Sequence, residues 1–196
     1  MKVLFLGYSN SPLIDFLRNQ GEDVIIYDEK IGSDFILENK IEFIVSYGYR
    51  HLIRKEILDV LPGKVINLHI AYLPFNKGAD PNFWSFIDGT EKGVTIHLVD
   101  EGLDTGDIIL QETVELSNKE NLKTTYGILR NAVEKLFVIH WQEIKSQKIS
   151  SQKQMGVGTY HKGDDKDKFI SDIKDKWLDM PISELVEYVS TLRRKI

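Results

Sequence analysis

Four short apolar runs dominate the first third of the chain, at residues 3–6, 24–27, 41–46 and 65–68, and stretches with helical spacing lie between them. Strands apolar on both faces need cover on both, and strands separated by helices run parallel. Right-handed crossovers then make the fold α/β, a doubly wound and mostly parallel sheet. The local signals agree. Ser11 and Pro12 cap and open a helix that runs to about Gln20, where Gly21 can end it. Shorter helices are expected over residues 34–39, with Ser33 as the cap, and over 55–61. Ligands of such sheets gather at the carboxyl ends of the strands. That draws attention to Asn67 and His69, at the end of the fourth run.

The pattern then changes. Residues 94–99 alternate, with Val94, Ile96 and Leu98 on one face and Thr95, His97 and Val99 on the other. A further strand is expected over 108–116. Leu122, Tyr126, Leu129, Val133, Leu136, Phe137, His140 and Ile144 mark a helix from 122 to about 145. The remainder holds Gly158-Thr159-Tyr160-His161 and two helices, near 167–177 and 181–194. With 196 residues, the chain suits one sizeable core, residues 1–145, and a C-terminal accessory segment, 146–196.

Composition excludes several classes. The chain has no cysteine, so a disulfide framework, a Cys-based zinc site and a thiol nucleophile are ruled out. The first apolar run is too short for a signal peptide or a bilayer span, so no membrane partner is expected and the chain is read as cytoplasmic. A net charge of −5 disfavours wholesale binding to nucleic acid. Gly7-Tyr8-Ser9-Asn10-Ser11-Pro12 has one glycine, which argues against a dinucleotide-binding oxidoreductase.

Three places could carry chemistry. In extended structure Asn67 and His69 project from the same face, where an amide donor and an imidazole could polarise a carbonyl and handle a proton. A loop asparagine beside a solvated histidine is the bland alternative. Asp104 lies in the glycine-flanked turn Gly102-Leu103-Asp104-Thr105-Gly106 and could orient His69, or could simply bond its own backbone. Lys77, beside Gly78 in a long loop, could hold a phosphate or be solvated. Of the other histidines, His97 reads as a structural strand residue, His140 as part of the helical apolar face, and His51 as a backbone contributor. A metal would need converging ligands, and His69, His97 and Asp104 are the plausible set.

Taken together, Asn67-Leu68-His69, Tyr72-Leu73-Pro74, Lys77-Gly78, Trp84, Gly93-Val94-Thr95-Ile96-His97 and Gly102-Leu103-Asp104-Thr105-Gly106-Asp107-Ile108-Ile109 resemble the signature of the N10-formyltetrahydrofolate-dependent formyltransferases. The resemblance covers residues 1–145 and implies a Rossmann-like formyltransferase core. It implies Asn67, His69 and Asp104 as the catalytic trio and N10-formyltetrahydrofolate as formyl donor, without metal. The donor's pterin would lie against His51, Leu52 and Ile53 on one side and Asp100 and Gly102 on the other. Tyr49-Arg50-His51-Leu52-Ile53 looks most like members acting on nucleotide-linked amino sugars, of dTDP or UDP type, in polysaccharide biosynthesis. Ser9, Asn10, Tyr72, Lys77 and Trp84 are then the candidate substrate contacts, with Phe83, Trp84 and Tyr160 as possible surfaces for the base. Ile70-Ala71-Tyr72 departs from the small residue and Ser-Leu of many members, which alters the wall beside His69. Glycinamide ribonucleotide and methionyl-tRNA remain alternative acceptors, and a non-enzymatic nucleotide-sugar binder a rival class. The long helix or the tail could supply a homodimer face.

Overall fold

The four apolar runs become strands β1 (Lys2–Gly7), β2 (Asp23–Tyr27), β3 (Phe43–Tyr47) and β4 (Val65–His69) in the computed structural model of the chain. It describes residues 1–194, apart from the side chain of residue 175; residues 195 and 196 of the expected C-terminal segment lie outside the described residues. Helices α1 (Pro12–Asn19), α2 (Ser33–Glu38) and α3 (Lys55–Val60) separate these strands. Then follow β5 (Lys77–Gly78), α4 (Pro81–Ile87), β6 (Gly93–Leu98), β7 (Ile108–Thr113), α5 (Leu122–Lys145), β8 (Tyr160–His161), α6 (Asp167–Ile170) and α7 (Ile182–Arg193).

Six strands form one sheet in the order β2-β1-β3-β4-β6-β7. β1 runs parallel to β2 and β3, and β3 parallel to β4. β4 pairs antiparallel with β6, so the sheet changes direction at β4, with Asn67 opposite His97 and His69 opposite Thr95. The doubly wound, mostly parallel α/β class expected from the apolar runs is therefore the one found.

Two compact units divide the chain. The first comprises Met1–His69, Thr95–Leu110 and Val133–Gln154. Leu4, Leu6, Ile44 and Val65 pack there with Ile36, Ile53 and Ile57. Phe43 meets the Trp141 ring edge-on at 5.4 Å, and Phe16 meets Phe137 at 6.3 Å. Ser11 caps α1 as expected, its hydroxyl accepting from the Leu13 N–H at 3.3 Å, with Pro12 in the first turn. Gly21, at φ 82°, takes the left-handed conformation that ends the helix. The second unit comprises Ile70–Val94, Gln111–Ala132 and the described residues from Met155 onward. Its core holds Phe83, Trp84, Phe86, Leu122, Ile170, Ile182, Leu185 and Val189.

Four expectations need correction. Ser33 is the first helical residue of α2 rather than its cap, and Gly32 precedes it without a side-chain bond. His140 is not in the core: its imidazole is 32% exposed and faces Glu143 at 2.7 Å, while the adjacent Trp141 is the buried residue. The helix expected over 167–177 is α6 followed by a 3-10 segment, Ser171–Leu178, broken at Lys174, where φ is 46°. β7 ends at Thr113 and not at 116. β5 and β8, which pair in parallel, have no counterpart in the sequence reading. No helix among the described residues is long and apolar enough to cross a membrane.

Candidate functional site

Asn67 and His69 stand two residues apart on β4, and the pleat sends both side chains to one face. Asp104 reaches them from the turn between β6 and β7. Its backbone is left-handed, at φ 53°. Gly106 is needed just beyond it, because a Cβ there would overlap the Leu98 carbonyl oxygen. Asp100 braces the turn on both sides of Asp104, its Oδ1 accepting from the Gly102 N–H at 3.0 Å and the Thr105 hydroxyl at 2.6 Å.

The three side chains meet at one carboxylate. Asn67 Nδ2 donates to Asp104 Oδ1 at 3.1 Å, and His69 Nδ1 lies 3.7 Å from Asp104 Oδ2. The latter is ion-pair distance rather than a hydrogen bond. The His69 and Asp104 side chains are only 8% and 9% exposed, so little water screens the pair.

His97 joins the cluster, which the strand-residue reading did not foresee. Its Nδ1 is 2.7 Å from the Leu98 carbonyl, an acceptor only, which assigns the proton to Nδ1. In the neutral ring Nε2 then accepts from Asn67 Nδ2 at 3.3 Å, and it sits 3.5 Å from Asp104 Oδ1. Both Asn67 amide hydrogens are thus directed within the cluster. The motif ending Ile96-His97 carried the signal; the register that puts His97 opposite Asn67 did not show in it. Among the described residues no group of three or more His, Asp or Glu is arranged to hold a metal ion.

Beside the cluster is a cavity of about 70 Å³ lined by Ser46, Tyr49, His51, Leu52, Ile53, Asn67, His97, Val99, Asp100, Gly102, Leu103 and Asp104. All five residues expected to hold the donor line it. Leu52 and Leu103 are 58% and 45% exposed, high for leucines. Burial raises the Tyr49 phenol above its ordinary value, so it stays a neutral donor, to the Glu29 carbonyl at 2.7 Å. A second cavity in the same unit, about 570 Å³, is lined by Gly7, Tyr8, Ser9, Asn10, Asp28, Gly48, Arg50 and His51. His51 borders both.

Tyr72, Lys77 and Trp84 belong to the other unit. Lys77 is half-buried in β5, opposite Tyr160. Trp84 and Phe83 are each 2% exposed and stand in the core. One face of Trp84 stacks on His161 at 3.8 Å and 5°. Tyr160 is 51% exposed, the one ring of the three with a surface open to a base.

A family model described as formyl transferase matches residues 13–139. Methionyl-tRNA formyltransferase of Finegoldia magna is 34% identical over 154 residues, 72% of this chain and 49% of that protein. The chain thus spans about half the length of the curated relatives it matches. Among solved structures, the formyltransferase PseJ of Anoxybacillus kamchatkensis, in complex with UDP-4,6-dideoxy-4-formamido-L-AltNAc and tetrahydrofolate, is 43% identical. It covers 96% of this chain and 100% of its own, with a TM-score of 0.89. A 4-N formyltransferase of Francisella tularensis shares the fold at 23% identity, with 96% and 87% coverage and a TM-score of 0.76.

Proposed function

The chain belongs to the formyl transferase family, and on that premise we propose that it moves a formyl group from N10-formyltetrahydrofolate to the primary amine of a UDP-linked amino sugar. The observation that carries the reading is the convergence of Asn67, His69 and Asp104 on one carboxylate, directly beside the cavity formed by residues 51–53 and 100–104. That cavity suits the pteridine end of the donor. Leu52, Ile53, Val99 and Leu103 offer apolar surface for a flat ring, and the family resemblance implies main-chain groups of residues 51–53 at its edge. The exposed Leu52 and Leu103 side chains are free to move apart for it.

The donor supplies an electrophilic formyl carbon. The neutral amine forms the new C–N bond, the bond to N10 breaks, one proton leaves the amine and one ends on N10. Asn67 Nδ2 donates to the developing oxyanion, and its longer bond, to His97 Nε2, is the one released. His69 faces Asp104 through Nδ1, so Nε2 is the nitrogen that takes the amine proton. Asp104 then stabilises the imidazolium from 3.7 Å. Ser9, Asn10 and Arg50, on the cavity that shares His51, are the groups for the polar part of the acceptor.

Full-length likeness to PseJ supports a UDP-linked acceptor. Identity of 34% to methionyl-tRNA formyltransferases supports a second reading, an aminoacyl-tRNA acceptor. Parallel incubations with N10-formyltetrahydrofolate separate them. A UDP-linked 4-amino sugar should gain the mass of one CO, while glycinamide ribonucleotide and methionyl-tRNA should not. Formylation of methionyl-tRNA alone would replace the acceptor and keep the chemistry. No gain on any amine would remove the activity.

A further inference from the structure

We infer that Gln154 is a positioning residue for this reaction: by holding the main chain on both sides of Thr105 it fixes where the Asp104 carboxylate stands. The inference rests on the formyl-transfer reading of the site. Gln154 lies in the segment that the sequence marks as accessory, beyond the long helix. An antiparallel bridge brings that segment to the turn, with the Ile108 N–H donating to the Gln152 carbonyl at 2.7 Å and the Gln152 N–H to the Ile108 carbonyl at 2.8 Å. Two residues on, Gln154 Nε2 donates to the Asp104 carbonyl at 2.8 Å and the Gly106 carbonyl at 2.9 Å. A primary amide has two N–H groups, and both are directed at the turn. Gln154 Oε1 is buried without a hydrogen-bond partner among the described residues. The two carbonyls are therefore what orient the amide.

The turn needs such a brace. Asp104 is held at φ 53°, a region that few non-glycine residues occupy, although Asp takes it more readily than most. Rotation of either flanking peptide would swing the carboxylate away from Asn67 and His69. Its contacts with them, at 3.1 and 3.7 Å, do not tolerate much displacement. Asp100 holds the turn on both sides of Asp104 from within, through the Gly102 N–H and the Thr105 hydroxyl. Gln154 holds the carbonyls of Asp104 and Gly106, which Asp100 does not reach. Gln154 is half-buried, so its side chain serves the turn rather than a packed core.

The test is Gln154→Met, which keeps length and removes both donors. The expected result is a fall in kcat of about 10- to 100-fold, as for a catalytic group displaced by a fraction of an ångström. KM for the amino sugar should change far less. Combined with Asp104→Asn, the Gln154→Met change should have little further effect, because residues acting through one another are not additive. Hydrogen exchange of the amides at 104–107 should quicken by about tenfold with exchange in β4 unchanged, a readout independent of turnover. An unchanged kcat in a folded variant, a full additional loss in the Asp104→Asn background, or unaltered exchange in the turn would overturn the inference. So would failure of both Gln154→Met and Gln154→Ala to fold, which would make Gln154 a folding residue. Absence of formyl transfer by the unsubstituted chain would instead sink the functional reading, and the exchange measurement would still decide whether Gln154 holds the turn.

Discussion

Asp104 receives Asn67 on one carboxylate oxygen and His69 on the other, and the proposed reaction gives each partner a separate task. Replacing Asn67 by Ala removes the oxyanion donor and should lower kcat by about 10²–10³-fold. His69→Ala should cost about 10²–10⁴-fold. Circular dichroism should be unchanged in both, because β4 is held by its backbone pairing with β3 and β6. Near-normal turnover in either folded variant would refute the assigned roles. These residues were legible in the sequence for physical reasons. Asn67 and His69 are two apart at a strand end, a spacing that shares a face, and Asp104 sits between glycines that let a turn approach closely. His97 was half legible. Its bond to the Leu98 carbonyl is the structural role the sequence suggested, but its position opposite Asn67 depends on antiparallel register with β4. Gln154 was illegible: in the polar stretch Ser151-Gln152-Lys153-Gln154 nothing local separates a solvated amide from one aimed at two carbonyls.

At the scale of elements, the pairing of β5 with β8 was the least legible feature. Two-residue strands have no periodicity to read, and their partners lie far apart in the chain. The pairing is nonetheless well specified. The Lys77 N–H donates to the Thr159 carbonyl at 3.0 Å and the Ala79 N–H to the His161 carbonyl at 3.0 Å. His161 also faces Asp88 at 2.7 Å and stacks on Trp84, so one imidazole joins strand, helix and core of the second unit. Gly78 makes the close approach possible: it sits at φ 86°, and a Cβ would overlap the His161 carbonyl oxygen. Gly78→Ala should therefore destabilise the protein by about 1–3 kcal/mol, the usual cost of forcing a side chain into such a conformation. Urea denaturation measures it, and a midpoint equal to that of the unsubstituted protein would show that the clasp is loose. The longer elements were legible because propensity and burial agree along them. The break at Lys174 was not, since residues 167–177 read as a continuous helix.

For the molecule as a whole, acid stability should turn on Glu22. Its side chain is 2% exposed and accepts from the Lys145 ammonium at 2.6 Å, the amino terminus at 2.8 Å and the Trp141 indole at 3.2 Å. Burial alone would raise its pKa, but the bonds from Lys145, the amino terminus and Trp141 outweigh it and hold the carboxyl below its ordinary value. A carboxyl depressed in the folded state contributes stability above the ordinary carboxylate range and loses it as pH falls through the folded value. Glu22→Gln should cost about 3 kcal/mol at neutral pH, as when one partner of a buried ion pair is removed. The variant and the parent should converge in acid, and denaturation curves that stay equally far apart from neutral to acidic pH would refute this. One arrangement also limits how the molecule can fail. β4, which bears Asn67 and His69, is laced to β3 on one edge and to β6 on the other. A strand held on both sides has no edge from which to fray, so Asn67 and His69 should ride on one of the last segments to open. Loss of activity on heating should therefore coincide with the melting of this sheet, and inactivation well below the melting transition would refute this.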